Sequence, residues 1–381
     1  MKLAIVHDYL NQYGGAERVI EILHELYPDA PVYTSIYIPE KMPYSFREMD
    51  IRTSFMQKLP LIKRFFKYYL LLYPKAFESF DLKNYDVILS SSSAFAKGVV
   101  PGQNSCHICY CYTPTRFIWD YLNYVKKEKY PLVIFKLLPL LIKKLKVWDL
   151  KIINRVNYFV AISNNIKEKI LKYYNRDSEV IYPPVDFKKF QVSKNIKNYF
   201  LIVSRLNSYK NIDIAVKAFS KLGLNLKIVG KGPFRKELEK IAGPSVEFLG
   251  GVSDEDLIKL YRSCRAFLFP GEEDFGIAPL EAQASGRPVI AYAKGGALET
   301  IVDGVTGLFF TDNTVESLIN TVNNFIRIED KFSQNALREN ALKFDKEVFK
   351  KKIDEFIKVK YNEFLINKKD QEISFGDNKS Y

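Results

Sequence analysis

Apolar and polar positions alternate along this chain in a way that predicts many short buried strands separated by helices. Runs that are apolar over most of their length lie at 2–7, 86–91, 107–112, 158–163 and 179–182, and then at 199–205, 225–230, 246–250, 265–270, 288–292 and 306–310. Between them, apolar residues recur at helical spacing, for example over 211–221 and 253–262. Strands that are apolar on both faces are typical of parallel sheets covered by helices on either side. The sequence therefore predicts an α/β fold.

The two series of strands predict two Rossmann-like, doubly wound domains. Their boundary is expected at Tyr182-Pro183-Pro184, because consecutive prolines continue neither a strand nor a helix. We therefore expect an N-terminal domain over 1–182 and a C-terminal domain over 183–345. An amphipathic helix over 346–366 is expected to pack back on the N-terminal domain, and the polar residues 367–381 are expected to be disordered.

Positive charge is concentrated in the N-terminal half of the 381 residues, which carry a formal net charge of +13. Residues 1–190 contain 28 Lys and Arg against 18 Asp and Glu, whereas residues 191–381 contain 29 against 26. Most of the excess lies in 51–75 and 121–147, where basic residues are interleaved with Leu, Phe and Tyr. This composition predicts amphipathic helices that bind an anionic membrane surface. The alternative is a core-packed helix with solvated lysines. Neither segment resembles a nucleic-acid module, so no nucleic-acid partner is expected.

The remaining composition indicates a protein of the reducing cytoplasm. The chain contains no uncharged stretch of about 20 residues, so we expect no membrane-spanning helix. We also expect no secretory signal, because the N-terminus lacks the apolar core and the cleavage site of such a signal. Four cysteines in a chain of this length do not suggest a disulfide scaffold. Cys106, Cys109 and Cys111 lie with His107 on one predicted strand, whose alternating side chains cannot close a tetrahedron. We therefore expect buried thiols and no metal site.

The first candidate site is the pair Gly14-Gly15, between the first strand and the helix that follows it. Adjacent glycines let the backbone turn tightly and approach a ligand. The start of the next helix offers backbone N–H groups that suit a phosphate. The alternative is an ordinary turn, but this position is where α/β domains bind ligands.

The second candidate is the basic pair Arg205 and Lys210, after the first strand of the C-terminal domain. Two cations at the carboxyl end of a strand suit a diphosphate, with Arg as a bidentate donor and Lys as a point charge. On spacing alone, an ordinary solvated loop with basic residues is the favoured interpretation. Gly230 and Gly232 form a further strand-to-helix turn, and a lone Gly-x-Gly is weak evidence for a phosphate site.

The third candidate is the acidic, glycine-containing loop 270–281, in which a strand ends and a helix is expected to start near Pro279. The backbone N–H groups from Phe275 to Ala278, which include those of Gly276 and Ile277, are expected to face a phosphate or a sugar. Glu273 on the loop and Glu281, expected in the first helical turn, suit the hydroxyls of a sugar and a ribose. For Glu281 alone, stabilisation of the helix N-terminus is the alternative.

Together these motifs resemble glycosyltransferase family 4, whose members are retaining enzymes of GT-B architecture. The specific feature is the spacing Glu273-x7-Glu281 with an internal Phe-Gly and Pro-Leu. The supporting motifs, in order, are Gly14-Gly15-Ala16-Glu17-Arg18, Arg205-Leu206 with Lys210-Asn211, Gly230-x-Gly232-Pro233, Phe248-Leu249-Gly250, 284–291, Gly295-Gly296 with Glu299, and Asp303-Gly304-x-x-Gly307. Within the family, 7–10 and 112–120 resemble mannosyltransferases that build O-antigen and related surface polysaccharides.

The resemblance implies two Rossmann-like domains facing across a cleft, with a nucleotide-sugar donor bound mainly by the C-terminal domain. It implies that Arg205 and Lys210 hold the diphosphate, that the backbone near Gly15 assists, and that Glu273 lies near the donor sugar and Glu281 near the ribose. It implies a metal-free transfer, with GDP-mannose as the expected donor and no cofactor. The expected acceptor is a lipid-linked glycan at the cytoplasmic face of the inner membrane. UDP- or dTDP-sugar donors are the closest alternative.

Two departures from the family pattern affect these expectations. Ser204 replaces the usual Gly, and Tyr112 replaces a His that in many relatives precedes Thr-Pro. Tyr donates a hydrogen bond but is no base near neutral pH. His107, five residues earlier on the same predicted strand, faces the opposite side. Tyr112 is therefore the feature that favours a second hypothesis, a non-catalytic scaffold that binds nucleotides or glycans.

Overall fold

A computed structural model describes residues 1–120 and 132–377, and the side chains of 1–120 and 139–370. The chain divides into two compact units. The first contains residues 1–182 together with the chain from Phe349 onward, and the second contains residues 183–348. Each unit has one parallel β-sheet with helices packed on it.

The first unit has a seven-stranded sheet in the order β3-β2-β1-β4-β5-β6-β7, and every paired neighbour is parallel. The strands are β1 (Leu3–His7), β2 (Val32–Thr34), β3 (Ile51–Thr53), β4 (Val87–Ser92), β5 (Cys106–Cys111), β6 (Tyr158–Ala161) and β7 (Ser178–Val180). The apolar pattern predicts five of them. It does not predict β2 and β3, since three residues are too few to show a period.

The helices of the first unit connect these parallel strands. They are α1 (Gly15–Leu26), α2 (Ile62–Phe65), α3 (Tyr73–Glu78), α4 (Arg116–Trp119), α5 (Leu132–Ile152) and α6 (Asn164–Tyr174). Short 3-10 helices lie at Pro39–Lys41, Tyr44–Arg47, Phe55–Lys58, Phe66–Leu72, Ala96–Gly98 and Ile153–Arg155. Helix α1 follows β1 after a seven-residue connection that contains Gly14, as the sequence predicts.

The expectation of one amphipathic helix over 51–75 is wrong. This segment contains β3, two 3-10 helices, the four-residue α2 and the start of α3. Pro60 and Leu61, which has a φ of 51°, interrupt any longer helix. The second basic segment, 121–147, is helical from Leu132, and its residues 121–131 lie outside the described residues.

The second unit has a six-stranded parallel sheet in the order β10-β9-β8-β11-β12-β13. The strands are β8 (Phe200–Val203), β9 (Leu226–Val229), β10 (Val246–Gly250), β11 (Phe267–Phe269), β12 (Val289–Tyr292) and β13 (Gly307–Phe310). The helices are α7 (Ile212–Leu222), α8 (Arg235–Ile241), α9 (Asp254–Ser263), α10 (Ile277–Ala284), α11 (Ala297–Thr300), α12 (Val315–Ile328) and α13 (Gln334–Leu342). Three more 3-10 helices lie at Phe187–Lys189, Ser208–Lys210 and Glu329–Lys331. All six strands were predicted.

The last helix, α14 (Lys346–Asp377), starts at the end of the second unit and continues into the first. Its Phe349 ring contacts Tyr110 of β5, and its Asp354 accepts a hydrogen bond of 2.9 Å from the Tyr27 hydroxyl. The expected disordered tail from 367 is helical as far as Asp377, because an existing helix extends without a new nucleation step.

Each unit has its own apolar core. In the second unit, α7 and α12 pack on the sheet through buried residues such as Phe219 and Phe325. In the first unit, Phe77 and Ile88 belong to a core that joins α3 to the sheet. These cores hold the sheets fixed, so that the loops at the carboxyl ends of the strands have defined positions. Among the described residues, no helix is long and apolar enough to cross a membrane.

Candidate functional site

The loop between β11 and α10 carries the largest group of predicted site residues. Gly276 precedes the first residue of α10 with a φ of 94°, a conformation that favours glycine. A Cβ at this position would lie 2.7 Å from the Phe269 ring. The Phe275 side chain is buried, so only the backbone of this residue can face a ligand. The helix begins at Ile277, two residues before the predicted start at Pro279.

Glu273 lies on this loop and forms an ion pair with Lys210. The loop itself is held on its other side, because the Gly296 N–H donates to the Glu273 carbonyl over 2.8 Å. Lys210 ends the 3-10 helix after β8, and its residue is 8% exposed. Two opposite charges from separate loops, 63 residues apart in sequence, therefore meet beside the N-terminus of α10. The prediction placed both residues at one site, and the structure brings them into contact.

Arg205 follows the end of β8, and its side chain is exposed. Over the described parts of the chain its guanidinium takes part in no ion pair. An exposed guanidinium at the carboxyl end of a strand is suited to a bidentate contact with a phosphate. The structure does not place it in contact with Lys210 or Glu273.

Glu281 differs from the expectation. It lies in the second turn of α10, since the helix begins earlier than predicted. Its carboxylate is 4% exposed and accepts a hydrogen bond of 2.7 Å from the Tyr261 hydroxyl. Tyr261 is itself fully buried between the Phe190 and Phe267 rings. The carboxylate is therefore fixed in one orientation by a rigid partner.

Gly230 and Gly232 lie against the chain that carries Arg205. A Cβ on Gly230 would overlap the Ser204 carbonyl, and a Cβ on Gly232 would overlap the Leu206 backbone. Close packing of the two strand-end loops therefore explains why both positions are glycine, whether or not a phosphate is bound. The Leu206 N–H donates a hydrogen bond of 3.0 Å to the Lys231 carbonyl, which links the two loops.

In the first unit, Gly14 and Gly15 form the turn before α1, and Gly15 is exposed. The Gly14 N–H donates 2.8 Å to the Glu17 carboxylate, which is buried. The Gly14 N–H is thus used within the turn, and the groups that α1 presents to a ligand begin at Gly15. Tyr112 lies just after β5 and is half-buried, with its hydroxyl close to this turn.

The other residues considered for chemistry have structural partners. His107 is fully buried, with Nε2 2.8 Å from the Ser90 hydroxyl and Nδ1 3.0 Å from the Arg155 carbonyl. Burial lowers the pKa of His107 to about 4, so it is neutral at neutral pH. Cys106, Cys109 and Cys111 are buried free thiols on β5. Within the described ranges no group of His, Cys, Asp and Glu is arranged to hold a metal ion.

A family model described as Glycosyl transferases group 1 matches residues 185–344. The matched segment is similar to the group 1 glycosyl transferases. It coincides closely with the second unit, and it contains Arg205, Lys210, Glu273 and Glu281.

Curated relatives of this chain carry mannosyltransferase names. The O-antigen chain mannosyltransferase RfbU of Salmonella typhimurium is 31% identical over 194 residues, which cover 48% of this chain and 54% of the relative. The alpha-1,3/1,6-mannosyltransferase ALG2 of Dictyostelium discoideum is 24% identical over 89% of this chain and 96% of its own length. The chain spans about half the length of several other curated relatives it matches, 54% of one and 59% of another. The predicted family resemblance is confirmed.

The fold prediction is also confirmed. HepE of Anabaena, solved in complex with UDP and glucose, has a TM-score of 0.72 to this chain at 19% identity. The alignment covers 94% of this chain and 100% of HepE. Two parallel Rossmann-like sheets, of seven and six strands, agree with the GT-B class that this neighbour represents.

Sequence reasoning missed Tyr261 as a partner of the group 1 domain's Glu281. Tyr261 lies on α9, 20 residues before Glu281. On a helix with apolar spacing, a tyrosine is usually an ordinary core residue, and no local pattern marks its hydroxyl as bound to a site residue. Only the packing of α9 against α10 shows it.

Proposed function

We propose that this protein is a retaining glycosyltransferase that transfers a hexose, namely mannose from GDP-mannose, to a lipid-linked glycan in surface polysaccharide biosynthesis. The observation that carries the proposal is the Lys210–Glu273 pair beside the N-terminus of α10, within a group 1 glycosyl transferase domain. No cofactor or metal is part of the proposal. A transfer rate that is unchanged by a chelator would agree with it.

The charges of the site suit the departure of a nucleoside diphosphate. Negative charge develops on the leaving diphosphate as the bond to the sugar breaks, and fixed cations lower the energy of that state. Arg205 supplies an exposed guanidinium and Lys210 a nearly buried ammonium. The N–H groups at Gly276 and Ile277, at the start of α10, add a positive dipole end.

The two glutamates are assigned to the hydroxyl groups of the donor. Glu273 is paired with Lys210 and is one-fifth exposed, so its carboxylate can accept from a sugar hydroxyl while it holds the lysine. Glu281, which Tyr261 orients, is assigned to the ribose. For the first unit by itself, we propose phosphate contacts at Gly14 and Gly15, with Gly15 the better placed of the two because the Gly14 N–H is used within the turn.

The names of the relatives RfbU and ALG2 support mannose as the transferred sugar. UDP-sugars are the alternative donors, and one solved structure favours them. The neighbour HepE was solved with UDP and glucose. The donor is therefore part of the experiment.

The test is a transfer assay with purified full-length protein, a panel of GDP-, UDP- and dTDP-sugars and a lipid-linked glycan acceptor. We expect GDP-mannose to be the most active donor and the product to retain the anomeric configuration. Lys210→Ala and Glu273→Ala are expected to lower kcat/KM by about 100-fold or more, because each removes a charge from the reacting region.

Glu272→Ala is the matched control, since it removes the adjacent carboxylate, which is exposed and outside the Lys210 pair. It should retain near-normal activity. Full activity in both Lys210→Ala and Glu273→Ala would overturn the assigned site. Donor binding without transfer or hydrolysis in any combination would favour the non-catalytic scaffold.

We also propose that the first unit binds an anionic membrane surface, at the cytoplasmic face of the inner membrane, where a lipid-linked acceptor would lie. The chain between 55 and 75 exposes Leu61, Tyr68 and Leu71, which are 70%, 73% and 43% accessible. Exposed basic side chains surround them at Lys58, Lys63, Arg64, Lys67 and Lys75. Apolar side chains that enter the interface, with cations that pair with anionic lipid, are the features of a peripheral membrane site.

A further inference from the structure

The hydroxyl of the half-buried Tyr112 contacts the first turn of α1. It donates to the Ala16 carbonyl over 3.2 Å and lies 2.9 Å from the Ser91 hydroxyl. Burial raises the pKa of Tyr112 well above its ordinary value, so the phenol stays protonated. The hydroxyl has one proton, which goes to Ala16, and the Ser91 hydroxyl must therefore donate to Tyr112.

Tyr112 and Ser91 form a cluster with His7 and Glu17, and this cluster also contacts the glycine turn at a second point. His7 Nδ1 lies 3.1 Å from the Ser91 hydroxyl, and His7 Nε2 lies 3.7 Å from the Glu17 carboxylate. The other oxygen of that carboxylate accepts the Gly14 N–H over 2.8 Å. His7, Glu17 and Ser91 are all buried. The cluster therefore contacts the turn at two points, the Gly14 N–H and the Ala16 carbonyl, which lie on either side of Gly15.

We propose that Tyr112 is a positioning residue, which acts through Ser91, His7 and Glu17 to hold the Gly14–Gly15 turn in the shape that receives the diphosphate of the donor. This inference rests on the proposed function. It assigns no acid–base or acceptor-binding role to Tyr112, although the resemblance left such a role open. Tyr112 therefore orients the backbone of an anion-binding turn, and its presence in place of His does not indicate that activity has been lost.

The physical reason is that a backbone anion site works only if its N–H groups already point at the ligand. Two adjacent glycines have more conformational freedom than any other dipeptide, so an isolated Gly14–Gly15 turn is poorly ordered. Hydrogen bonds on both sides of Gly15 remove that freedom before the donor arrives, which lowers the ordering cost of binding. Without the Tyr112 hydroxyl, Ser91 loses its acceptor and the Ala16 carbonyl loses a buried donor.

The experiment compares Tyr112→Phe with Tyr110→Phe in the full chain. Tyr110 is the matched control, because it is a fully buried tyrosine two residues earlier whose hydroxyl donates 3.0 Å to the Ile181 carbonyl, away from the glycine turn. Each variant deletes one buried hydroxyl, so both should lose similar thermal stability. Only Tyr112→Phe is expected to raise the donor KM, by about 3–10-fold, which is the value of one buried hydrogen bond. Its kcat and its acceptor KM should change little.

Product inhibition locates the effect on the diphosphate. In Tyr112→Phe the inhibition constant of the matching nucleoside diphosphate should rise with the donor KM, whereas that of the nucleoside alone should not. A rise in acceptor KM with an unchanged donor KM would overturn the inference and make Tyr112 an acceptor contact. Equal donor KM values in the two variants would overturn it as well, with the proposed function intact. If the wild-type chain neither binds nor transfers any sugar nucleotide, the proposed function fails and the inference fails with it.

Discussion

At the scale of single residues, the first unit contains a buried ion pair whose groups are all satisfied. Lys97 and Asp149 are both fully buried, with Nζ and Oδ1 2.9 Å apart. The lysine also donates to Thr115, and the carboxylate accepts from Trp119 and Tyr174. This network joins the loop after β4, the loop after β5 and helices α5 and α6. It therefore fixes the segment around Thr115 that resembles the mannosyltransferases.

Lys97→Met is expected to destabilise the protein by about 3–5 kcal/mol, because it leaves the Asp149 carboxylate buried without its cation. Urea unfolding measures this free energy. The control is Lys221→Met, which breaks an exposed pair with Glu316 and should leave the unfolding midpoint unchanged. A Lys97→Met variant as stable as the control would show that the buried pair contributes nothing.

The pH dependence of this pair follows from the pKa of Lys97. Burial has the largest single effect and lowers that pKa, but the Asp149 carboxylate together with Cys111 and Cys109 holds the pKa above its usual value of 10.5. Because the pKa of Lys97 is raised on folding, the stability that the pair contributes is fully present at pH values below the pKa of the unfolded state. It is lost as the pH rises through the pKa of the folded state. The loss in the free energy of unfolding caused by Lys97→Met should therefore be constant between about pH 6 and 9.

At the scale of elements, the candidate site depends on loops that pack backbone against backbone at the carboxyl ends of β8, β9 and β11. Gly232, Gly271 and Gly296 each lie where a Cβ would meet the main chain of a neighbouring loop. Gly276 instead faces the Phe269 ring and has a positive φ. The Lys210–Glu273 contact is possible because these loops approach so closely.

Gly276→Ala is expected to be more destabilising than Gly304→Ala. Both positions have positive φ, 94° and 71°, so each alanine costs about 1–2 kcal/mol in backbone energy. A Cβ at 304 meets nothing within 4 Å, whereas one at 276 lies 2.7 Å from Phe269 and adds about 1–3 kcal/mol of overpacking. Denaturant midpoints measure the difference. Equal shifts of the denaturant midpoint in the two variants would mean that the Phe269 ring moves aside without an energetic cost.

At the scale of the whole molecule, the sequence places its excess of positive charge in residues 1–190 and little of it in the group 1 domain. Such an asymmetry gives one unit a field that attracts anionic surfaces and leaves the other near neutrality. The exposed aromatic and aliphatic residues between 55 and 75 lie in the positive unit. In the membrane contact that we propose, the same segment would therefore supply both the cations and the apolar side chains.

The triple variant Lys58→Gln/Arg64→Gln/Lys67→Gln is expected to bind phosphatidylglycerol-containing vesicles about 10–100-fold more weakly than the wild type, since each cation near a lipid surface contributes on the order of 1 kcal/mol. Flotation measures binding to phosphatidylcholine vesicles with and without phosphatidylglycerol. Lys236→Gln/Lys240→Gln/Lys331→Gln is the control with the same change in net charge, all at exposed positions of the second unit. Equal weakening in both variants, or wild-type binding that ignores anionic lipid, would contradict a specific surface.

Much of the fold could be predicted because buried parallel strands are apolar throughout, so a local pattern identifies them. β2 and β3 escaped prediction because they are too short to show a period. The basic segment 51–75 was misread as one helix because composition does not show where a chain bends. Loops with fixed motif spacing allowed Lys210 and Glu273 to be assigned to one site, although no local rule predicts that they touch.

The sequence by itself determined the α/β class, the division into two strand series, the charge asymmetry and the resemblance to a glycosyltransferase family, since each depends on residue order or composition alone. The tertiary structure decided which side chains meet. It paired Lys210 with Glu273, placed the Tyr261 hydroxyl on Glu281, and placed the Tyr112 hydroxyl on the glycine turn. These contacts join residues that are distant in sequence and depend on the packing of whole helices and loops, which no local pattern encodes.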